Sequence, residues 1–566
     1  MVYRRTPYVN RRFARPALVL LVALLALAGC GGASLTQPTQ SSPPETQFSA
    51  LVRALAPAQT CTNTFIAHTL DHTTIAGEKV VPLFESNGSG LAIGDLDADG
   101  DQDIVLANLR EPNTILWNQG SLAFRTQRLS HGESRAASIV DVDGDGRLDI
   151  VFTRHSAKPT YWHNTGMQGD ARFVQGDLPD VNNPFYSINW GDLDADGDLD
   201  LVAGSYDTEL LKQQGAIFNY HGGGVGVFVY THEGERFVAQ RLSKQADTLA
   251  LVLPDLNADG RPDILAGNDF TRPDYAWLQA DNGWVSTTPF EDTSENTMSL
   301  DVGDIDNDGS PEIFATDMKP YDKDVRTMAN WLPMMRLMSH PTSSADVQTT
   351  ENVLHVREAN GRFDNQAYER FADATGWSWS SKFGDLDNDG FLDIYAVNGM
   401  IADGLFSHLP GDELVEENRA LRNDGSGYFV LAPGWELGLT ASGRGMSMAD
   451  LDDDGDLDIV VNNLQSPAQL FENRLCGGAG LEVDLRWPAS KNPYAIGARL
   501  ALHTSAGTYY RDVRAVSGYL SGDSARIHFG VPAGAVPQRL EVRWPDGAES
   551  SVYAPATQTL VTVTRE

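Results

Sequence analysis

Apolar and polar residues follow a pattern that repeats seven times along this chain. Each repeat starts with a short apolar stretch, such as 91-LAIG or 300-LDVG, continues through an acidic nine-residue segment and ends in a second apolar stretch. The second stretches are 104-IVLA, 150-IVFT, 201-LVAG, 264-ILAG, 313-IFAT, 394-IYAV and 459-IVVN. Short apolar runs bounded by turn residues are typical of buried β-strands. The pattern therefore predicts strand, loop and strand in every repeat.

Further strand signals follow within the repeats. They combine aromatic residues with glycine or asparagine, as in 115-ILWN, 228-FVYTHEGERF, 353-VLHVREANGRF and 420-ALRNDGSGYF. The acidic segments begin 46 to 81 residues apart. This spacing favours propeller blades over the short coils of a solenoid. We therefore predict an all-β fold containing a seven-bladed β-propeller, in which residues 61–90 complete the last blade near Asn473 and close the ring.

The acidic segments have the composition of calcium loops. Positions one, three, five and nine offer side-chain oxygens, position seven offers a backbone carbonyl, and the glycine at position six is expected to have a positive φ. We predict up to seven structural Ca²⁺ ions, with weaker binding where Asn257 and Glu312 replace aspartate. The predicted ligands are Asp95, Asp97, Asp99, Asp101 and Asp103; Asp141, Asp143, Asp145, Arg147 and Asp149; Asp192, Asp194, Asp196, Asp198 and Asp200; Asp255, Asn257, Asp259, Arg261 and Asp263; Asp304, Asp306, Asp308, Ser310 and Glu312; Asp385, Asp387, Asp389, Phe391 and Asp393; and Asp450, Asp452, Asp454, Asp456 and Asp458.

The charge of the chain agrees with this interpretation. The formal net charge is −35, and 27 of the 77 acidic residues occupy the loop positions that offer side-chain oxygens. An acidic chain without a basic cluster is not expected to bind nucleic acid. Acidic surface turns without metal are the alternative, but they do not explain seven copies in one frame with the same flanking strands.

The N-terminus has the features of a targeting segment. Five arginines precede the apolar run 17-ALVLLVALLALAG, which ends in a sequence that looks like a bacterial lipobox, Leu27-Ala28-Gly29-Cys30. We predict a signal peptide over residues 1–29, a lipid anchor on Cys30 and a flexible tether over residues 30–48. This predicts an exported lipoprotein, on the outer membrane or cell surface, that contacts the membrane only through its lipid. An ordinary cleaved signal peptide is the alternative.

Two other features stand outside the repeats. Cys61 and Cys476 flank the repeats, which suggests a disulfide in an exported protein, with two free buried thiols as the alternative. The segment 325-VRTMANWLPMMRLMSH has methionines at helical spacing and predicts a helical insertion at about residues 320–345. Such a methionine-rich face either contacts a partner or packs the helix onto the ring.

The motifs resemble two known families. The repeats resemble FG-GAP or VCBS calcium propellers of the integrin α type, with apolar-Gly-Asp starts such as Ile93-Gly94-Asp95. After them, 492-NPYAIGARLAL, 517-SGYLSGDSARIHFG and 541-EVRWPDGAES look like an ASPIC/UnbV domain of cartilage acidic protein-like chains. Residues 49–477 are therefore predicted as the propeller and residues 478–566 as a small β domain. The resemblance implies a secreted or surface calcium-binding protein used for adhesion or matrix contact. We predict a monomer that recognises a protein or polysaccharide.

No catalytic constellation is evident from the sequence. There is no nucleophile elbow, phosphate loop or Cys-x-x-Cys, and the pair His68 and His72 lacks the glutamate of a zinc helix. The chain is therefore not predicted to be an enzyme. The alternative is an exported carbohydrate-active enzyme with its site in the propeller channel. Non-loop acids and aromatic residues converging on one mouth of the channel would favour that alternative.

Overall fold

An antiparallel pair of strands flanks the acidic loop in every repeat. The computed structural model describes residues 47–77, 80–129, 132–214, 224–270, 272–338 and 347–566. The predicted signal peptide, Cys30 and all but the last residues of the tether lie outside the described residues. Apolar residues with a period of two or in unbroken runs place the first and second strands of each repeat in the core, where they are almost entirely buried.

Seven antiparallel groups of strands, called sheets 1 to 7 here in chain order, contain the seven loops; the short strand Ser521–Gly522 joins sheets 1 and 2 into one larger sheet. Their strands are Leu91–Gly94, Asp103–Leu106, Thr114–Asn118 and Phe124–Arg128 (sheet 1); Ser134–Val140, Asp149–Arg154, Thr160–Asn164 and Phe173–Asp177 (sheet 2); Ser187–Gly191, Asp200–Gly204, Val227–Glu233 and Arg236–Arg241 (sheet 3); Thr248–Val252, Ile264–Asn268, Tyr275–Ala280 and Gly283–Thr287 (sheet 4); Ser299–Gly303, Glu312–Thr316, Val353–Arg357 and Phe363–Asn365 (sheet 5); Gly376–Gly384, Asp393–Asn398, Arg419–Asn423 and Phe429–Leu431, with Met318–Lys319 (sheet 6); and Ser442–Ala449, Asp458–Leu464 and Pro467–Glu472, with Ile66–Thr73 (sheet 7).

The sheets follow one another in a propeller-like arrangement. The first strand of each sheet contacts the first strand of the next, and the first strand of sheet 7 contacts that of sheet 1. Sheet 7 is completed from the N-terminal side, because Ile66–Thr73 pairs antiparallel with Pro467–Glu472. The prediction that residues 61–90 supply a strand to the last sheet is therefore confirmed. Ring closure leaves no open edge between the first and last sheets.

The disulfide predicted from the sequence is present. Cys61 and Cys476 are bonded, with their Cα atoms 5.2 Å apart and 415 residues apart in the chain. Cys61 precedes the strand Ile66–Thr73, and Cys476 follows the strand Pro467–Glu472 with which it pairs. The covalent bond therefore fastens the junction where the two ends of the ring meet.

The C-terminal region forms two further sheets. One contains Arg499–Thr504, Thr508–Asp512, Pro537–Arg543 and Glu549–Tyr553. The other contains Ala479–Arg486, Ile527–Val531, Thr559–Arg565 and the N-terminal strand Phe48–Ala54. The sequence analysis divided Phe48–Ala54 between tether and propeller, but all seven residues pair with Arg565–Thr559 instead. This strand is mostly exposed, so no apolar alternation signals its partner.

A short hairpin from the C-terminal region enters the centre of the ring. The hairpin, called the plug here, covers residues 516–523 and contains the strands Val516–Ser517 and Ser521–Gly522. Gly522 pairs with Ala92 of sheet 1, and Ser521 pairs with Ala137 of sheet 2, both in parallel. A Cβ atom on Gly522 would lie 2.8 Å from the Cβ atom of Ala92, so only glycine allows this approach.

The plug reaches the other five sheets as well. Val516 and Gly522 accept hydrogen bonds through their carbonyl oxygens from Asn189 of sheet 3 (3.1 Å) and Ser447 of sheet 7 (3.0 Å). Gly518 donates its N–H to the Leu300 carbonyl of sheet 5 (2.7 Å). The Tyr519 N–H donates to Ser380 Oγ of sheet 6 (3.1 Å), and the first strand of sheet 4 contacts Val516–Ser517. The channel is therefore filled by the chain's own C-terminal region.

Helical structure is minor. The α-helices of the described residues are α1, Asp207–Gln214, and α2, Val325–Met338, with 3₁₀ turns at Leu83–Ser86, Pro410–Asp412 and Pro433–Trp435. Two-residue strands pair Thr293–Ser294 with Gln348–Thr349 and Met400–Ile401 with Glu413–Leu414. Among the described residues, no helix has both the length and the apolar character needed to cross a membrane.

Removal of the disulfide is expected to destabilise the ring without abolishing the sheets. A Cys61→Ser/Cys476→Ser double variant should lose about 2–5 kcal/mol of unfolding free energy, because the bond restricts the unfolded chain and fastens the ring junction. Chemical denaturation of the wild type and the double variant, both saturated with calcium, measures the difference. Equal denaturation midpoints would contradict the role of this bond in ring closure.

Candidate metal centres

All seven acidic loops share one backbone conformation. The glycine at position six has a positive φ in each, from 86° at Gly260 to 106° at Gly100, as expected. Position four also has a positive φ, from 55° at Asn388 to 70° at Gly144. The conformation at position four was not predicted from the sequence, although four loops have glycine, asparagine or aspartate there, which tolerate a positive φ.

The first aspartate organises the loop through backbone hydrogen bonds. In loop 1, Asp95 Oδ1 accepts the Asp99 N–H (3.1 Å) and Asp95 Oδ2 accepts the Gly100 N–H (3.1 Å). Five other loops repeat both bonds, with acceptors Asp141, Asp255, Asp304, Asp385 and Asp450. In loop 3, Asp192 accepts the Gly197 N–H (3.1 Å). These bonds wrap the turn around the first carboxylate.

The acid at position nine links the loop to the rest of its sheet. Asp103 Oδ2 accepts the Leu96 N–H within the loop (3.1 Å), and Asp103 Oδ1 accepts the Asn118 N–H from the third strand (2.8 Å). Asp149, Asp200, Asp263, Asp393 and Asp458 make the same two bonds. Glu312 accepts the loop N–H of Ile305 (3.0 Å), so its longer side chain preserves this contact.

The loops gather carboxylates closely enough to share a cation. Ligand atoms lie within 4.8 Å of one another in four clusters of loop acids. These are Asp95, Asp97 and Asp99; Asp141, Asp143 and Asp149; Asp192, Asp194 and Asp200; and Asp304, Asp306 and Asp308. Further groups of this kind exist, including Asp143 and Asp145 with His163. The structure therefore brings together the predicted residues, and several of these clusters could hold a metal ion.

Several buried carboxylate oxygens in these loops have no hydrogen-bond partner. They are Oδ1 of Asp192, Asp198, Asp306, Asp387, Asp452, Asp454 and Asp456. A buried charged oxygen without a partner is costly, and a dication removes this cost by direct coordination. The donor set consists mainly of oxygen atoms, which fits a hard cation. The chemistry of the residues therefore fits calcium.

Position seven affects the charge of the loop through its side chain as well as offering its backbone carbonyl to a cation. Arg147 pairs with Asp145 of loop 2, and Arg261 Nη2 lies 2.7 Å from Asp259 Oδ2 of loop 4. A fixed guanidinium beside the position-five carboxylate competes with a cation for that oxygen. In loop 3, Asp198 at the same position contacts Lys491 at 3.0 Å. Electrostatic conditions therefore differ among the seven loops.

Burial raises the pKa values of the position-nine acids and of most position-one acids in the absence of metal. Loss of solvent raises the pKa of Asp95, Asp192 and Asp304 at position one to about 6. It raises the pKa at position nine further, to about 8 for Asp103 and Asp200. Neighbouring carboxylates add to the shift in each case. Without a cation, the folded loops therefore hold protons at pH values where an unfolded aspartate is ionised.

A polar side chain links each of six loops to the following sheet. Asn164 Nδ2, at the end of a third strand in sheet 2, donates to the Leu96 carbonyl of loop 1 (2.9 Å). Asn118, Gln279, Arg357, Asn423 and Asn473 donate to the corresponding carbonyls of Leu451, Leu193, Leu256, Ile305 and Leu386. These residues were not predicted from the sequence, although Asn recurs fifteen residues after position nine in three repeats, at Asn118, Asn164 and Asn473.

The C-terminal region covers the face of the ring that carries the loops. Five position-six carbonyls accept hydrogen bonds from it. The donors are Arg526 to Gly100 (3.0 Å), Tyr494 to Gly146 (3.1 Å), Ser490 to Gly197 (2.8 Å), Arg499 to Gly309 (2.5 Å) and His528 to Gly455 (3.4 Å). In loop 6, Arg511 lies 3.5 Å from Asp385. The loops are therefore both candidate metal centres and the docking surface for the C-terminal sheets.

The histidine pair considered for zinc has structural roles. His68 Nε2 lies 2.7 Å from Glu472 Oε2, and the buried His72 bonds to Thr114 (2.8 Å) and Thr74 (3.1 Å). Both lie on the strand Ile66–Thr73, not on a helix. Burial lowers the pKa of His72 to about 4, so its ring is neutral at physiological pH.

Comparison with known families agrees with this architecture. The FG-GAP-like repeat family matches residues 95–152, 141–203, 255–315 and 410–461, and the ASPIC and UnbV family matches residues 488–566. The chain carries FG-GAP-like repeats followed by an ASPIC and UnbV domain. The second match contains the plug and the loop-contacting residues Tyr494, Arg499 and Arg526.

Relatives of this chain match it over most of its length. The chain is 24% identical to cartilage acidic protein 1 of Xenopus tropicalis over 536 residues, covering 84% of this chain and 73% of that protein. Identity to the Mus musculus protein is also 24%, over 84% of this chain and 74% of the relative. The match to the Homo sapiens protein is 24%, covering 84% and 72%.

Solved structures with similar folds are more distant. The Neurospora crassa Pan2 WD40 domain has a TM-score of 0.40 and 6% identity, covering 74% of this chain and 98% of that chain. BBS1N in complex with ARL6DN has a TM-score of 0.39 and 9% identity, covering 68% and 93%. The SapL1 lectin in complex with alpha methyl fucoside has a TM-score of 0.32 and 10% identity, covering 61% and 95%.

The pKa shifts predict an unusual pH dependence of the metal-free protein. The raised pKa values mean that the folded state binds more protons than the unfolded state between about pH 4 and pH 8. Stability is therefore fully present at low pH and is lost as pH rises through the folded pKa values, at about 1.4 kcal/mol per unit of pKa difference. Thermal melts in chelator from pH 5 to pH 8 should show a falling melting temperature.

The same melts in saturating calcium provide the control. A bound cation keeps the carboxylates ionised at all these pH values, so the fall should disappear. A metal-free protein whose melting temperature rises between pH 5 and pH 8 would contradict the assignment of buried, repelling carboxylates.

Proposed function

We propose that this protein is a calcium-stabilised binding module, exported and held at a membrane surface by a lipid on Cys30. The observation that supports it best is the ring of acidic loops, in which buried carboxylate oxygens lack partners while the C-terminal region binds the loop carbonyls. Calcium bound there would neutralise the loops and fix their carbonyls in place. The role of the metal is structural: with calcium bound in the loops, the ring of sheets is rigid.

The surfaces open to a ligand follow from this packing. The loop face is covered by the C-terminal sheets, and the plug fills the channel. A protein or polysaccharide ligand would therefore contact the outer strands of the sheets or the face opposite the loops. The outer strands expose polar and charged residues, as in Phe173–Asp177 and Arg236–Arg241. This surface suits a protein or polysaccharide ligand that is bound through many individually weak polar contacts.

One observation favours the alternative of a carbohydrate-active enzyme. On the face opposite the loops, a cavity brings non-loop acids and aromatic residues to the channel mouth, among them Asp269, Glu295 and Trp377. Glycosidases need two carboxylates placed across a sugar. Asp269 is engaged by Tyr206 and by the Phe270 N–H, and four methionines line the same cavity. Because methionine offers a sugar few hydrogen bonds, we rank binding above hydrolysis.

Calcium-dependent binding is the direct test of this proposal. Protein and glycan arrays probed with calcium-saturated protein should give ligand signals that chelator removes. An Asp385→Asn/Asp389→Asn variant of loop 6 should lose stability, because one site occupied at 100 times its dissociation constant adds about 2.7 kcal/mol. Asp71→Asn, an exposed acid outside the loops, is the matched control and should melt like the wild type.

Three outcomes would contradict parts of this proposal. Unchanged melting of the wild type in chelator would exclude structural calcium. Ligand signals that persist in chelator would exclude calcium-dependent recognition. Release of reducing sugar from a polysaccharide, lost in Asp269→Asn, would favour the enzyme.

Lipid anchoring is tested at Cys30. Replacement of Cys30 with serine removes the thiol that would be acylated, so the variant should move from the membrane fraction to the soluble fraction. Metabolic labelling with a fatty acid analogue should mark the wild type and not the Cys30→Ser variant. A variant that stays in the membrane fraction would contradict anchoring through this residue.

A further inference from the structure

A cavity of about 300 Å³ lies on the face of the ring opposite the acidic loops. Its walls come from residues that precede the first strands or follow the second strands, such as Asn87, Phe270 and Met400. These positions are at the ends of the strands remote from the loops. Behind the cavity, Trp379 contacts Tyr519 of the plug, with ring centroids 5.3 Å apart. The plug therefore supports the inner wall of this cavity, which is called the cup here.

Aromatic rings and methionines form most of the cavity wall. Phe84 packs edge-on against Tyr206 at 5.9 Å, and Tyr206 stacks on Phe270 at 6.4 Å. On the other side, Trp377 and Trp379 line the cavity. Four methionines also line the cavity, and one of them, Met334, belongs to the insertion helix.

The insertion helix has a defined part in this wall. Trp331 is buried, packs against Trp377 with ring centroids 5.5 Å apart, and donates its Nε1–H to Glu416 Oε1 (2.9 Å). This contact fixes α2 on the ring and turns Met334 toward the cavity. The methionine-rich segment therefore both packs onto the ring and supplies one side of the binding cup.

The charged groups that line the cavity are acidic. Asp269 and Glu295 belong to the lining, and no lysine, arginine or histidine does among the residues that the structure describes. The buried Asp269 accepts hydrogen bonds from Tyr206 Oη (2.6 Å) and the Phe270 N–H (2.9 Å), which hold its carboxylate beside two aromatic rings. The salt bridges between described residues include none to Asp269. Its negative charge is therefore held by neutral donors.

Cations already lie against two of these rings. Lys212 places its ammonium 4.9 Å from the Phe84 ring centroid, and Arg444 lies 4.0 Å from the Trp379 ring centroid. The Arg444 guanidinium donates to the carbonyls of Ser86, Gly399 and Gly443. These rings therefore attract positive charge through their faces, as expected from cation–π interaction.

We propose that this cup binds a small organic cation with an apolar body, such as an amine or quaternary ammonium compound. The aromatic and methionine walls would bury the apolar part, and Asp269 with the ring faces would attract the positive end. Polar side chains that a sugar would need are already engaged, because Tyr206 donates to Asp269 and Asn296 bonds to Asp317. A metal ion would find too few oxygen ligands. The inference goes beyond the proposed function, because it needs neither calcium in the loops nor a lipid on Cys30.

Calorimetric titration with benzyltrimethylammonium tests the proposal. The wild type should bind one equivalent, and benzyl alcohol and benzenesulfonate should bind at least tenfold more weakly, because they lack the positive charge. The titrations are done at pH 8 in calcium, since burial raises the pKa of Asp269 to about 7. Calcium binding is measured on the same samples, so that failure of either claim is seen separately.

Two variants locate the site. Asp269→Asn removes the negative charge. Phe270→Ala removes one aromatic wall; because Phe270 is 43% exposed, its loss should not unfold the protein. Each should weaken cation binding at least tenfold. The matched control is Phe371→Ala, because Phe371 is 64% exposed and has φ 63°, against 62° for Phe270, but lies outside the cavity.

The expected result for Phe371→Ala is an affinity within twofold of the wild type. Three results would overturn the proposal: no saturable binding of the cation at millimolar concentration, equal affinity for benzenesulfonate and benzyltrimethylammonium, or equal losses in Phe270→Ala and Phe371→Ala. If Asp269→Asn does not fold, the comparison of the two phenylalanine variants still decides the location.

Discussion

Repulsion between crowded carboxylates is the constraint on which this structure depends. Each loop places several acids within a few ångströms, and one like-charge pair at ~4 Å costs about 4 kcal/mol at an effective dielectric constant of 20. The ring then buries the first and last acids of most loops, which removes the water that would screen them. Protons relieve this repulsion at low pH, but at neutral pH a divalent cation is the partner that fits the oxygen donors.

The rest of the molecule is connected through these loops. The acid at position nine holds the third strand of its own sheet, and a polar side chain of the next sheet holds the carbonyl at position two. The C-terminal sheets bind the carbonyls at position six, and from them the plug enters the channel. A change in the conformation of one loop therefore reaches its own sheet, its neighbour and the C-terminal cover.

Sequence patterns predicted the repeated parts of the fold better than the contacts between parts. The strands, the glycine conformation at position six and the bond between Cys61 and Cys476 follow from apolar runs, turn chemistry and cysteine placement. The plug does not, because 517-SGYLSG is a short segment without a repeating apolar pattern, and its position depends on contacts with seven different sheets. The strand Phe48–Ala54 was also missed, since its exposed side chains show no alternation that would identify the C-terminal sheet as its partner.

The acidic loops and the cup show the same difference between local patterns, which the sequence predicts, and contacts between distant parts, which it does not. The loop acids are evident because seven copies share one spacing, whereas the effect of Arg147 and Arg261 on the neighbouring position-five acids needs the three-dimensional arrangement. The asparagines that join loops to the next sheet have a recurring position in the sequence, but their carbonyl partners lie in a different repeat. The cup opposite the loops combines residues from four sheets, a 3₁₀ turn and an inserted helix, and no local spacing brings these together.

The measurement that tests the central claim most directly is the number of calcium ions per chain. Inductively coupled plasma analysis of protein purified in calcium and freed of unbound metal should find close to one ion per acidic loop, with the lowest occupancy in loops that pair an arginine with their own carboxylate. Material that retains far less than one ion per loop, and is equally stable with and without the metal, would contradict the account.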